Sequence, residues 1–585
     1  MSEITKLNMV REFWKHADAG LAGEFARMQE GFRFYTGDQW DPADLAKLQS
    51  EKRPALTINL ILSIVNLLSG IQRQGRQDVS VVARKGGLKP LASVYTQLLR
   101  HCMDTSDADY EIADCFLDGV IGSKGWLQLD IDHTEDPLAG DLVVRKVSPF
   151  AVREDPDAKE YDLNKSGKFI IHDEWMDKES LILNYPQKSV DIESGALDMD
   201  PASGDVSSDA KAMEDSNASL RYRVRHCWWK QYQNRMVLIN TLTGSMKTVP
   251  TAQQEVAIAI ANKSKYWVVK DWVVPVLNKT VTAGNLVLED IEDPFGGAMR
   301  FPYTRFCPFW VDGYVMGVVQ NLTGVQQEVN KRRSQALHNL NQTANSGFKV
   351  KKVLNNYDRH LAKFGSTPGV VLDESKAGGS IERIEPAPLS EGHIRASSMS
   401  ADDMKEISGA NPDLMGQYIE NYAESGKAIE LRQAQGMKVV EVMFDNFART
   451  QKLLALGMVD MIRFTDVYSD DEIAAIVSES NETVDTALLK SRKVGRYGIK
   501  IESSSSSPTA RYANFMNILE IARLFPERVP AEAVIEQSNL ADKETLLEQL
   551  VPEGTVISSQ KPVGSSQKKV KLNMSRDFVN VVRNE

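Results

Sequence analysis

The sequence predicts a mainly helical α+β fold, and three observations predict it. Two long stretches, Gly313–Asn345 and Ser425–Phe464, repeat apolar residues at three- and four-residue steps. The region 127–290 instead alternates apolar and polar residues in several short runs. The chain has 585 residues, 42% hydrophobic and 25% charged, which is ordinary globular composition and enough for more than one core.

Taken in order, residues 8–35 read as one helix, with Val10, Trp14, Ala17 and Leu21 at helical spacing. Asp41-Pro42 starts the next helix, a capping side chain followed by proline at the first helical position, and Arg53-Pro54 ends it. Asn59–Gln72 forms a third. It falls in an uncharged stretch, Pro54–Gln72, that is long enough to suggest a membrane span. Thr57, Asn59, Ser63, Asn66, Ser69 and Gln72 interrupt the stretch, and each would be costly in lipid, so a buried helix and no membrane partner are expected. The N-terminus lacks the apolar core of a signal peptide, and a soluble protein is expected. Residues 91–120 are helical again. After Gly125 the period changes: Leu127, Leu129 and Ile131 alternate with Gln128, Asp130 and Asp132 as a half-buried strand, and strands continue at Leu142–Val147 and Lys168–Trp175.

Residues 189–217 hold eight acids against one lysine, with many Ser, Ala and Gly, and read as a mobile acidic loop. The spacing of a calcium loop is absent from it. Strands resume at 219–242 and 266–290. Leu220, Tyr222 and Val224 oppose Arg221, Arg223 and Arg225, which predicts an antiparallel strand with one wet face, its arginines solvated or paired with acids rather than bound to DNA.

The apolar stripe of Gly313–Asn345, from Val315 through Leu322 and Val329 to Ala344, makes a helix of about 50 Å, with Gly324 its weak point. Residues 346–395 carry glycines, prolines and short β-like runs (Phe348–Leu354, Gly369–Leu372, Ser380–Ile384), the pattern of a small α/β insertion. A short helix over 396–408 is broken by Asn411-Pro412, and the second long helix follows, with Ile429, Val440, Phe444, Phe447, Leu454, Met458 and Met461 on one face. A strand is expected at Tyr497–Ile501 and a helix after Ser507-Pro508.

Chemistry-bearing patterns are missing from the sequence. Ser425-Gly426-Lys427 has Asn421 and Ala428 where a phosphate loop needs Gly and Ser/Thr. There is no HExxH and no GxSxG, and the eight histidines are scattered. Cys102, Cys115, Cys227 and Cys307 stand far apart, against a zinc site or disulfide framework. No catalytic residue, metal site or cofactor is expected. The net charge of −11 disfavours tight non-specific DNA binding, which needs Lys and Arg on the phosphates.

Several segments together resemble the portal proteins of short-tailed, podovirus-type bacteriophages. They are Phe34-Tyr35-Thr36-Gly37-Asp38-Gln39-Trp40, then Arg53-Pro54-Ala55-Leu56-Thr57-Ile58-Asn59, then Gly70-Ile71-Gln72-Arg73-Gln74-Gly75-Arg76. Val147-Ser148-Pro149-Phe150 follows, with Glu154-Asp155-Pro156. Later come Gly313-Tyr314-Val315-Met316-Gly317 with Gln326-Gln327-Glu328-Val329-Asn330-Lys331-Arg332-Arg333-Ser334, then Ser425-Gly426-Lys427-Ala428-Ile429 with Phe444-Asp445-Asn446-Phe447. Last is Tyr497-Gly498-Ile499 with Pro508-Thr509-Ala510-Arg511.

The resemblance implies the portal fold, assembled as a homo-oligomeric ring, in that family usually a dodecamer, at one capsid vertex. It implies a wing over 1–312, a stem helix over 313–345, a clip over 346–392, a return stem helix over 393–408, a tunnel segment over 409–426, a long wing helix over 427–469, a crown region over 470–560 and a C-terminal tail over 561–585. Implied partners are the terminase large subunit, neck and tail adaptors, major capsid and scaffolding proteins, and double-stranded DNA passing without sequence specificity. The alternative is another virion ring adaptor or scaffold without the conduit role. In the clip, residues 349–363 hold five basic residues against Asp358, so Lys349, Lys351, Lys352, Tyr357, Arg359 and Lys363 are the expected docking residues for motor and neck proteins. The tunnel segment is polar with little positive charge. Asn411, Asp413, Gln417, Tyr418, Glu420, Asn421, Tyr422, Glu424 and Lys427 are the expected lining of a channel along which DNA slides.

Overall fold

The computed structural model of the chain describes most of residues 2–350, 391–409, 426–478 and 496–503, residues 380–383, and a few single positions up to 523; within these ranges, 85–87, 135–139, 195–220, 242–245, 250–253, 265, 296–299, 345–347 and 466 are not described. The chain divides into a larger unit, residues 1–69 and 79–500, and a smaller one, 70–78 and 501–585.

The first helix, α1 (Glu3–Thr36), is capped by Ser2, whose Oγ accepts from Thr5 N, and ends at Gly37 with φ 97°, the left-handed residue that satisfies the last carbonyls. α2 (Pro42–Ser50) starts as the Asp41-Pro42 pair dictates, Asp41 Oδ1 accepting from Ala43 N at 2.8 Å, and stops short of Arg53. α3 (Leu60–Gln74) has 15 residues, too few to span a bilayer; among the described residues no helix is long and apolar enough to cross a membrane. β1 (Gln77–Arg84) follows. The single helix expected over 91–120 is two, α4 (Lys89–Thr105) and α5 (Ala108–Gly122). Asp107 breaks them, at φ 48°, a conformation aspartate tolerates better than most residues.

The middle region is β-rich. β2 (Gly125–Asp132), β3 (Asp141–Val147), β4 (Val152–Glu154), α6 (Leu163–Ser166), β5 (Phe169–Asp177), α7 (Lys178–Asn184) and α8 (Ser189–Glu193) lead to the two longest strands. These are β6 (Arg221–Asn240) and, after β7 (Met246–Val249) and α9 (Gln254–Lys263), β8 (Trp267–Ala283). β9 (Leu286–Glu292), β10 (Tyr303–Phe306), β11 (Phe309–Val311) and β12 (Tyr314–Met316) complete it. The main sheet has order β4-β5-β6-β8-β9, with β7 on β6, and a second has order β10-β2-β3. α1 covers one face of the main sheet, Val10, Ala17 and Leu21 packing on Phe169, Ile171, Cys227 and Trp229. On the other face Trp228, Ile170 and Leu277 meet Trp126, Val147 and Tyr303 of the second sheet.

The wet arginine face is not found. Arg223 and Arg225 are 5% and 7% exposed. They lie beneath α1, their guanidiniums 5.5 and 4.8 Å from the centre of the Trp14 ring, with Asp173 opposite Arg225 in register. Pairing with an acid holds, since Asp173 Oδ2 is 4.0 Å from Arg223 Nε and takes a 2.9 Å bond from Arg153, but solvation does not. The alternation was real; a helix 200 residues earlier in the chain covers the second face, and no local pattern shows that.

The helical half comprises α10 (Val318–Ala344), β13 (Phe348–Val350), β14 (Ile381–Arg383), α11 (Glu391–Ser408), α12 (Gly426–Phe464), α13 (Asp470–Ser478) and β15 (Arg496–Ser503). α10 begins at Val318, not at Gly313, because Phe309–Met316 is a tight β-hairpin turned at Asp312-Gly313, both at positive φ. α10 and α11 pack along one another, and β13 pairs antiparallel with β14 at the start of the insertion between them. α12 spans the second long stretch as expected. Val440, Met443, Phe447, Leu454 and Met458 are buried, and Phe444 and Phe447 pack with Phe116 and Phe306 in one aromatic cluster. In the larger unit β1 lies beside β15, Ser80 Oγ donating to Lys500 O at 3.2 Å.

Candidate functional site: a polar ladder on the first long helix

Three of the sequence motifs converge on one face of α10. Gln326, Asn330 and Ser334 stand four residues apart, all buried, at 0%, 1% and 5% exposure. Opposite them runs the extended segment Pro54–Asn59. Ser334 Oγ accepts from Leu56 N at 2.9 Å, Asn330 Oδ1 from Ile58 N at 3.0 Å and Gln326 Oε1 from Leu60 N at 3.1 Å, while Gln326 Nε2 donates to Ile58 O at 2.6 Å. The match is metric. Four helical residues rise about 6 Å, and two extended residues about 6.6 Å, so every fourth helix side chain meets every second backbone amide.

The Phe34–Trp40 motif closes the far side. Gln39 is 3% exposed; its Nε2 donates to Phe34 O at 2.8 Å and its Oε1 accepts from Asn330 Nδ2 at 2.7 Å. Trp40 Nε1 donates to Leu56 O at 3.2 Å, and Asn59 Nδ2 to Tyr35 O at 2.9 Å. Arg53 donates to Gln335 on α10. Arg33 bonds Asp38 at 2.7 Å, and that bond raises the guanidinium pKa further. Beside the ladder lies an open cleft of about 400 Å³ lined by Trp40, Asp41, Asp44, Gln327 and Lys331, with Lys331 paired to Asp44 at 3.1 Å. The sequence signal for the ladder was present as a polar stripe beside the apolar one. Its partner was not readable, because the bonded atoms belong to the backbone.

A buried ionic group anchors the neighbouring core. Lys124 bonds Glu24 and Glu154, each at 2.6 Å, and Arg305 bonds Glu154 at 2.5 Å and the carbonyl of Glu160 at 2.6 Å. Burial pushes the Glu154 carboxyl up, but Arg305 and Lys124 outweigh it and hold it below its usual range. Every charge here is spent on another protein charge, the arrangement of a structural clamp. Among the described residues one group could approach a metal ion, His16 with Asp155 and Asp157. Asp155 already accepts from the backbone of Asp157 and Lys168 at 3.1 and 3.0 Å, so it works as a turn acceptor.

Of the expected docking residues, Lys349 is exposed on β13 opposite Glu382, and Arg359 and Lys363 are exposed; Lys351, Lys352 and Tyr357 lie outside the described residues. So do Asn411, Asp413, Gln417, Tyr418, Glu420, Asn421, Tyr422 and Glu424 of the expected channel lining, while Lys427 stands in the first turn of α12. The acidic loop expected over 189–217 does not begin as a loop: Ser189–Glu193 is the helix α8, with Ile192 buried. From residue 195 on it lies outside the described residues, as does most of the helix expected after Ser507-Pro508.

No curated protein matches the chain. A family model does, that of the phage P22-like portal protein, over residues 17–567, and by that match the chain belongs to the phage P22-like portal family of structural head–tail connector proteins.

Proposed function

We propose that this chain is the conduit subunit through which double-stranded DNA enters and leaves the capsid. Membership of the portal family makes it a structural, ring-forming subunit of the capsid vertex that associates with the packaging machinery. The finer reading assigns 1–312 and 427–469 to the wing, the helices within 313–345 and 393–408 to the stem, 346–392 to the clip, 409–426 to the tunnel segment, 470–560 to the crown and 561–585 to the tail. The observation that carries it is the pairing of α10 with α11 around an insertion that opens on the β13–β14 pair and whose first stretch, residues 349–363, is basic.

In this reading the terminase large subunit docks on the clip, neck and tail adaptors replace it after packaging, and capsid and scaffolding proteins surround the wing. The exposure of Lys349, Arg359 and Lys363 fits a docking role for acidic partners. The polar, weakly basic composition of 409–426 fits a lining that lets phosphates slide. A negative-stain image of the purified chain tests the ring: a large ring with a central channel is expected, and a monomer or small neck-sized ring would refute the conduit reading. Lys351→Glu with Lys352→Glu should leave rings intact and cut terminase binding at least tenfold; unchanged binding refutes the docking role.

A further inference from the structure

One part of the larger unit is built unlike the rest. β5 pairs with β6 only as far as Trp229, and β9 with β8 only from Asn278. Beyond those points β6 and β8 continue together from Gln231↔Val276 to Asn240↔Trp267, a ribbon of roughly 30 Å at 3.4 Å per residue. Near its end β7 pairs with Met236–Ile239 and α9 packs on β8, so the ribbon carries a small head in which Val237 and Leu238 are buried. A two-stranded ribbon is at best marginally stable in water. This one nonetheless leaves large apolar side chains in solvent, Tyr232 at 67%, Val273 at 58%, Tyr266 at 54% and Val268 at 47%, with Ile258 and Ile260 exposed on α9.

Its charge is also opposite to that of the chain. Between residues 231 and 275 stand Arg235, Lys247, Lys263, Lys265 and Lys270 against Glu255 and Asp271, while the whole chain carries −11. We propose that this arm is an assembly element that docks on an acidic face of a second copy of the chain. Two features support that occupant. A ring closed by rotation needs a heterologous contact, one feature of each copy against a different feature of the next, and an arm laid on the body of the neighbouring copy makes such a contact. A basic arm on an acidic chain finds complementary charge on its own kind. The inference rests on the ring reading above.

The test uses the full chain, with native mass spectrometry and sedimentation for oligomeric state and circular dichroism for folding. Tyr232→Asp with Val273→Asp should weaken assembly at least tenfold, leaving folded monomers at concentrations where the unaltered chain forms rings. Lys263→Glu with Lys270→Glu, both exposed positions, should do the same and decides the matter if the first pair fails to fold. Rings from the lysine pair at the concentration of the unaltered chain overturn the arm's role. An unaltered chain that never forms rings overturns the ring reading itself, and the proposal with it.

Discussion

Replacing Asn330 by alanine tests the ladder at its centre. The side chain accepts from Ile58 N at 3.0 Å and donates to Gln39 Oε1 at 2.7 Å. The substitution leaves a fully buried amide oxygen on Gln39 and a half-buried backbone donor without partners. An unsatisfied buried group costs about 1–3 kcal/mol and a partly solvated one less, so the loss should be about 3 kcal/mol. Urea unfolding at fixed protein concentration should show the midpoint falling with unchanged slope. Trypsin should cut sooner after Lys52, beside Arg53, whose side chain the same helix holds. A double-mutant cycle with Gln39→Ala isolates the bond and should give a coupling of about 1 kcal/mol or more, since the two residues touch. A loss below about 1 kcal/mol, or strict additivity with Gln39→Ala, would refute the reasoning.

Two further outcomes follow from buried groups. Ser123 stands at φ 85°, fully buried, its Oγ without a hydrogen-bond partner; Ser123→Gly should stabilise the chain by about 1–2 kcal/mol in the same urea assay, and a loss of stability would contradict the account. Burial, with His226 adding to it, lowers the pKa of His172 to about 4 from the ordinary 6.5, so the unfolded chain takes up a proton as pH falls through that interval and the folded chain does not. Stability from this group is complete above pH 6.5 and falls by about 1 kcal/mol by pH 5.5. Asp118, raised to about 6 mainly by burial, acts in the opposite sense, since acid relieves its penalty. The histidine contribution is therefore read as the difference between the unaltered chain and His172→Gln across pH 7 to 5, and parallel curves would remove it.

How much of this was legible in sequence depended on whether the deciding partner was local. α1 and α12 were legible because their apolar stripes are long, and the start of α2 because Asp41 and Pro42 act within one turn. The break at Asp107 was not, since apolar periodicity survives a one-residue interruption. The Phe309–Met316 hairpin had a readable signal, Asp312-Gly313 between apolar residues, but Val315 satisfied the helical period as well as the strand period, and the longer pattern prevailed. Arg223 and Arg225 were misplaced because α1, which buries them, is remote in sequence. The motifs that mark the family were visible as words. What joins them is a set of bonds between side chains on one segment and the main chain of another, and residue identities on the second segment do not record those bonds.

The geometry of the ladder has a mechanical consequence. Its bonds at Leu56, Ile58 and Leu60 lie side by side along the axis of α10. A pull along that axis loads all of them at once, whereas a pull away from the helix opens them one after another. The segment therefore resists sliding along α10 more strongly than peeling from it, and the joint is stiff in the direction in which that helix itself would be pushed or drawn.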